Sequence, residues 1–172
     1  MGLAPDFRVE ALNPKRHHRG SFGCGVGSLD EYLKTQASQD MRRKANAVFV
    51  LVPLDEPDEI AGYSTLCAYA VGQVQVPEAA RKYIQRYPLV SATLIGRLAI
   101  ASRFQGRGIG AMLLVRALRK AHENAAIVGS SMVVVDAIDE NAARFYEAHG
   151  FVRLPDSMRL ILPMRTIGDL LG

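Results

Sequence analysis

The chain has 172 residues, 49% of them hydrophobic and 22% charged, which suits one well-buried core and is short for two. It carries 21 Lys and Arg against 17 Asp and Glu, a net charge of +4; no apolar run reaches membrane-spanning length, and residues 1–10 lack the apolar stretch of a signal peptide. Its two cysteines, Cys24 and Cys67, exclude a disulfide framework and stand at no metal-ligand spacing with a histidine, so a cytoplasmic protein without a metal or a membrane anchor is expected.

Residues 7–12 read as a first strand, followed by the basic loop Lys15-Arg16-His17-His18-Arg19. Ser28 and Glu31 frame a capping box, and Leu29, Tyr32, Leu33, Gln36, Ala37 and Met41 then recur at helical spacing, predicting a helix to about Lys44. Residues 47–54 and 60–71 predict an antiparallel hairpin around the turn Asp55-Glu56-Pro57-Asp58. Pro77 opens a short amphipathic helix running to Arg86. Residues 94–101 read as a central strand and 108 to about 123 as a helix. The β-branched run at 131–137 suits a strand buried on both faces. A helix over 139–149, with Gly150 as its natural terminator, leads to short strands at 151–154 and 158–162. No repeat or long linker divides the chain, so one α/β domain over 1–172 is expected.

The segment from Arg97 to Leu114 is the most informative. An apolar strand meets the turn Gln105-Gly106-Arg107-Gly108-Ile109-Gly110, and an apolar-periodic helix starts at once. Alternating glycines let backbone N–H groups approach a ligand without Cβ atoms in the way. A helix start adds unpaired donors and the positive dipole end, both of which favour a pyrophosphate, and Arg107 brings a fork of donors. The spacing lacks the lysine and hydroxyl of the nucleotide-triphosphate loop, and its glycines fall out of order for the dinucleotide fingerprint. A glycine-rich turn with no ligand is the bland alternative, at an entropic cost with no return.

A second constellation lies in Asp139-Glu140-Asn141-Ala142-Ala143-Arg144-Phe145-Tyr146. On a helix Asn141 and Phe145 share a face, and Tyr146 is rotated from Phe145 by about 100°. The aromatic pair could serve as core anchors, or Tyr146 could act as an acid. Residues 91–102 contain no Asp, Glu or His. A lysine-like amine would need a base, whereas an α-amino group with pKa about 8 reacts unaided near neutrality, so a low-pKa amine acceptor is favoured. Basic clusters at 15–19, at Arg42, Arg43 and Lys44, and at Arg81, Lys82 and Arg86 can either gather a polyanion or merely solvate the surface. His17 and His18 read as surface residues, His149 as a helix C-terminal side chain, and Cys24 as a buried thiol.

The pattern Q-x-x-G-x-G at Gln105, Gly108 and Gly110, between a strand and a helix, resembles the acyl-coenzyme A loop of the GNAT acetyltransferase superfamily. The segments 22–33, 37–40, 60–66, 96–99, 135–137 and 162–167 further resemble the tRNA-acetylating toxins of type II toxin–antitoxin modules, the TacT/AtaT-like group. The resemblance spans about Phe7 to Pro163 and implies the GNAT fold: a mixed central β-sheet flanked by helices, with a splayed central strand pair. It implies acetyl transfer from acetyl-CoA to the α-amino group of aminoacyl-tRNA, blocking translation. Leu98, Ala99, Ile100, Asn141 and Phe145 would line the pantetheine arm, Gln105, Gly106, Arg107, Gly108, Ile109 and Gly110 would hold the pyrophosphate, and Tyr146 would protonate the leaving thiolate. Arg97, with Arg42, Arg43 and Lys44, would face the RNA. A ribbon-helix-helix antitoxin and a homodimer are the implied protein partners. Acetylation of a small amine or a protein N-terminus is the enzymatic alternative, and a domain that only binds coenzyme A or an antitoxin is the non-enzymatic one.

Overall fold

The computed structural model describes residues 6–72, 75–83 and 88–172. The chain divides into two compact units, one made of residues up to Cys67 with Arg97–Ala117, the other of Ala68–Gly96 with Leu118–Gly172. Strands alternate with helices, and the sheet mixes parallel and antiparallel pairs, as the α/β expectation requires. Among the described residues no helix is long and apolar enough to cross a membrane.

In sheet order come β1 (Phe7–Ala11), β2 (Ala47–Pro53), β3 (Gly62–Gly72) and β4 (Leu89–Ile100), the first unit taking β3 only to Cys67 and β4 only from Arg97. β1 pairs antiparallel with β2, from Phe7↔Pro53 to Ala11↔Phe49, and β2 pairs antiparallel with β3. The turn between β2 and β3 closes with the Glu59 N–H donating to Glu56 O (3.0 Å), which puts Pro57 at the position where its fixed φ fits. Buried Val48, Val50, Leu51, Tyr63, Leu33, Ile109 and Leu113 share one core.

The long helix expected to reach Lys44 is two helices, α1 (Gly27–Thr35) and α2 (Ala37–Arg42). Gln36 breaks them at φ −118°, and Lys44 at φ +60° ends the run. The capping box does not form. α1 starts at Gly27 with Val26 as its cap residue and no side-chain cap, which leaves Ser28 inside the first turn. Asp30, in the first turn, accepts the N–H of Cys24, two residues ahead of the cap, at 2.9 Å and so holds the preceding loop to the helix.

The second unit holds β3 and β4 beside β5 (Met132–Asp136), then β7 (Arg159–Pro163) and β6 (Val152–Arg153), in the order β3-β4-β5-β7-β6. β4 and β5 run parallel from Ala92↔Met132 to Ile95↔Val135, where their pairing stops. β4 continues to Ile100, so its last residues have no β5 partner. Val71, Val90, Ala92, Met132, Val134 and Ile161 form this unit's core.

The helices after the central strands are α4 (Ile109–Ala125) and α5 (Glu140–Ala148). The helix expected over 77–86 is described as α3 (Glu78–Arg81), with Pro77 as its cap; Arg86 and the expected helix end lie outside the described residues. An unexpected helix, α6 (Met164–Leu171), follows β7, with Met164 and Ile167 buried. Pro163 at φ −60° sets its start.

Candidate active site

The first unit carries the glycine-rich loop. After β4, the Ala101 N–H donates to Ala61 O and the Ser102 N–H to Gly23 O, both at 2.8 Å. One turn of 3₁₀ helix follows at Ser102–Phe104, pinned by buried Phe104, which meets Phe7 edge-on at 5.7 Å. The Gln105 amide nitrogen donates to both Cys24 O and Ile100 O at 2.8 Å. This glutamine therefore ties the loop to the strand end, and its donor is occupied by protein.

Gly106 and Gly108 adopt φ +79° and +75°, conformations that L-residues other than glycine rarely take. A Cβ at either would meet nothing within 4 Å, so backbone shape and not crowding demands glycine there. Among the described residues the N–H groups of Gly106, Arg107 and Gly108 donate to no protein acceptor. The first-turn amides of α4 add further unpaired donors. Arg107 is exposed, its guanidinium 5.5 Å from the Phe104 ring centre. Ile109 and Leu113 anchor the helix behind the loop.

Before the loop, β4 presents Arg97, Leu98, Ala99 and Ile100. A Cβ on Gly62 of β3 would stand 2.8 Å from Ala99 O and 2.7 Å from Ile100 Cδ1, so only glycine allows β3 this close. Because Ala99 O and the Ala101 N–H both face β3, strand alternation turns the N–H and C=O of Leu98 toward the opposite edge.

The second unit carries α5. Asp139 caps it, accepting the Ala142 N–H at 2.8 Å, and Arg153 grips both Glu140 oxygens at 3.0 and 2.8 Å. Asn141 is exposed and accepts from the Arg144 guanidinium through its Oδ1. Phe145 is half-buried. Tyr146 is 7% exposed and meets Phe145 and Phe151 edge-on at 5.3 and 5.4 Å. Burial alone pushes its phenol up to about 12. The buried side-chain polar atoms without a partner among the described residues are Thr65 Oγ1 and Arg153 Nε. The Tyr146 hydroxyl has no partner either, yet it is not sealed in. A buried ring thus presents an accessible, protonated donor. His149 Nδ1 donates to Phe145 O at 2.8 Å, closing the C-terminal end of the helix as expected.

The basic residues divide into engaged and free. In the loop at 15–19, Arg16 pairs with Glu10 and Asp58, His18 with Glu59, and Arg19 reaches Leu33 O. His17 is not on the surface: it is 3% exposed, accepting the Asn13 N–H at Nδ1 (2.9 Å) and donating from Nε2 to Glu10 (2.7 Å). The Glu10 carboxylate and the Asn13 amide, seven and four residues back, account for this. Arg43 and Lys44 are exposed, and Arg42 donates to Ser38 Oγ at 3.0 Å. Cys24 is buried as expected, and its thiol is pushed up by burial. Sequence reasoning missed the contact of Arg97 with the Tyr32 ring at 3.5 Å, whose only prior trace was an aromatic residue at a helical core position.

A family model described as the acetyltransferase (GNAT) domain matches residues 47–153. The tRNA-acetylating toxin of Mycobacterium tuberculosis is 29% identical over 153 residues, covering 88% of this chain and 89% of that protein. The AtaT toxin solved with acetyl-methionyl-tRNAfMet superposes with a TM-score of 0.88 at 27% identity, over 97% of this chain and 100% of that one. A Tyr-to-Phe variant of AtaT, solved with the C-terminus of the antitoxin AtaR and acetyl-CoA, gives 0.82 at 26% identity over 97% and 99%.

Proposed function

This chain belongs to the GNAT acetyltransferase family, and from that premise we propose that it acetylates the α-amino group of aminoacyl-tRNA, as the toxin of a toxin–antitoxin module. The observation that carries this reading is the end-to-end likeness to AtaT solved with its acetylated methionyl-tRNA. The geometry supports it. The free amides of Gly106, Arg107 and Gly108, with the α4 start at Ile109 and Gly110, suit the pyrophosphate of acetyl-CoA. Gln105 shapes that loop from behind. The outward edge of β4 at Leu98 suits an amide of the pantetheine arm, a role we extend to Ala99, Ile100, Asn141 and Phe145.

Acetyl-CoA supplies the acetyl thioester. Tyr146 holds a proton at its hydroxyl across the physiological range and delivers it to the departing sulfur as the carbon–sulfur bond breaks. The acceptor amine contributes the new carbon–nitrogen bond and releases its proton to water. An α-amine with pKa about 8 keeps about a tenth of its molecules unprotonated at pH 7, against about one in 2,500 for a lysine-like amine, so transfer proceeds without a carboxylate or histidine on β4. Arg97, Arg42, Arg43 and Lys44 face the RNA.

The protein acts as one catalytic domain in the cytoplasm, as a homodimer, and is held in check by a ribbon-helix-helix antitoxin. The AtaT–AtaR complex supports that last assignment. Engagement of the loop at 15–19 by carboxylates reduces the charge left for a polyanion. It favours, as a second reading, a small amine or a protein N-terminus as acceptor. A cell-free translation extract separates the two. Protein plus acetyl-CoA is expected to stop synthesis, and fresh charged tRNA to restore it after the enzyme is removed. Undisturbed translation would remove the toxin reading.

A further inference from the structure

Arg97 occupies an unusual setting. Arg16, Arg103, Arg153 and Arg159 each grip a carboxylate, but half-buried Arg97 has no hydrogen bond or ion pair among the described residues. Its guanidinium lies 3.5 Å from the centre of the Tyr32 ring. That ring is itself fixed. It is 7% exposed and stacks on Tyr63, with centroids 6.4 Å apart and planes 14° apart. The Tyr32 hydroxyl donates to Asp40 Oδ2 at 2.7 Å, and the Asn46 amide donates to the same oxygen at 3.1 Å. Gln36 takes the other Asp40 oxygen at 3.2 Å. Burial and the Asp40 bond push the Tyr32 phenol up to about 12, and that same bond holds the Asp40 carboxyl below its ordinary range.

The arrangement separates charge from donors. Stacking uses the face of the guanidinium, whereas its N–H groups lie in the plane at the edge. Asp40 contributes negative charge nearby without occupying those N–H groups. An arginine held by its face keeps a fork of donors free, and that fork matches a phosphate in two-point contact.

We infer that Tyr32, braced by Asp40 and Asn46, is a positioning residue that presets Arg97 as a receptor for one phosphate of the acceptor RNA. This rests on the aminoacyl-tRNA reading above. Tyr32 touches no reacting atom; it acts through Arg97 alone. The break at Gln36 has a purpose in this light, because it turns α2 so that Asp40 meets the Tyr32 hydroxyl.

The test is steady-state kinetics on charged tRNA with wild type, Arg97→Gln, Tyr32→Phe, Tyr32→Leu and the double variant Tyr32→Leu/Arg97→Gln. Arg97→Gln is expected to raise KM for charged tRNA about tenfold with kcat kept, and to lower the slope of log KM against log salt by about 0.7. Tyr32→Leu is expected to raise that KM up to about tenfold by releasing the stack. Tyr32→Phe, which keeps the ring and loses only its brace, is expected to stay within about threefold. The double variant should be no worse than Arg97→Gln alone, since both changes remove one unit. KM for acetyl-CoA should not move in any of them. Additive effects, or a shift confined to acetyl-CoA, would overturn the inference while leaving the function intact. Absence of transfer to charged tRNA by wild type would overturn both. Should Tyr32→Leu fail to fold, Tyr32→Phe/Arg97→Gln against its two singles reads the same coupling.

Discussion

Tyr146→Phe separates chemistry from stability more cleanly than any other single change. The ring is buried between Phe145 and Phe151, and phenylalanine keeps both edge-on contacts. The hydroxyl has no partner among the described residues, so its removal breaks no bond there, and the unfolding free energy is expected to change by less than about 0.5 kcal/mol. Loss of a positioned acid is expected to slow transfer about 10²- to 10⁴-fold, or about 3–5 kcal/mol of barrier. The proton account adds a pH signature. Burial raises the phenol from 10.0 to about 12, so activity is not expected to fall through tyrosine ionisation below about pH 12. Because the folded value lies above the unfolded one, the associated stability is whole below pH 10.0 and declines as pH climbs toward 12. The assay follows free thiol released from acetyl-CoA with charged tRNA as acceptor, alongside thermal melting of both proteins. A variant that melts with wild type and transfers at full rate would refute the reasoning. So would one that loses several degrees of Tm, since that would expose a structural partner for the hydroxyl.

Three further outcomes follow from the packing. Gly108→Ala must hold φ +75° with no steric obstacle, so about 1 kcal/mol of stability should be lost and KM for acetyl-CoA should rise as the loop amides shift; an unchanged KM would detach the loop from cosubstrate binding. Gly62→Ala places a methyl 2.8 Å from the immobile Ala99 carbonyl, and chemical denaturation should show a loss of about 1–3 kcal/mol, whereas a neutral result would contradict the tight β3–β4 approach. His17→Leu leaves the Asn13 amide without its acceptor and removes one donor from Glu10, which keeps Arg8 and Arg16, so about 1–3 kcal/mol should be lost while the salt dependence of tRNA binding stays put. A changed salt slope there would return the loop at 15–19 to the RNA-docking surface.

The strands and the two large helices after the central strands were legible because their signals are local. Apolar β-branched runs at 47–53 and 132–136 and the glycine turn before α4 each carry their own instruction. What escaped depended on side-chain contacts that no periodicity announces. The Ser28–Glu31 box matched a local rule, but Asp30 bonds the Cys24 amide and α1 caps at Val26, two residues earlier. His17 looked like part of a basic surface because nothing local announces that Glu10 and Asn13 would close around it. Only eight residues long and starting directly after β7 at Pro163, α6 presents too short an apolar pattern to separate it from the end of the strand. At the candidate site, the left-handed turns at Gly106 and Gly108 were readable from residue type and spacing, whereas the role proposed for Tyr146 comes from the family resemblance. The edge of β4 and the Tyr32–Arg97 stack were not readable, since register and tertiary contact create them.

The most direct measurement is mass spectrometry of aminoacyl-adenosines released by nuclease from bulk charged tRNA, after incubation with the protein and acetyl-CoA. The account predicts N-acetylated aminoacyl-adenosine, with spermidine and peptide N-termini in the same mixture left unmodified. Acetyl groups on the polyamine or the peptides, with charged tRNA untouched, would contradict it.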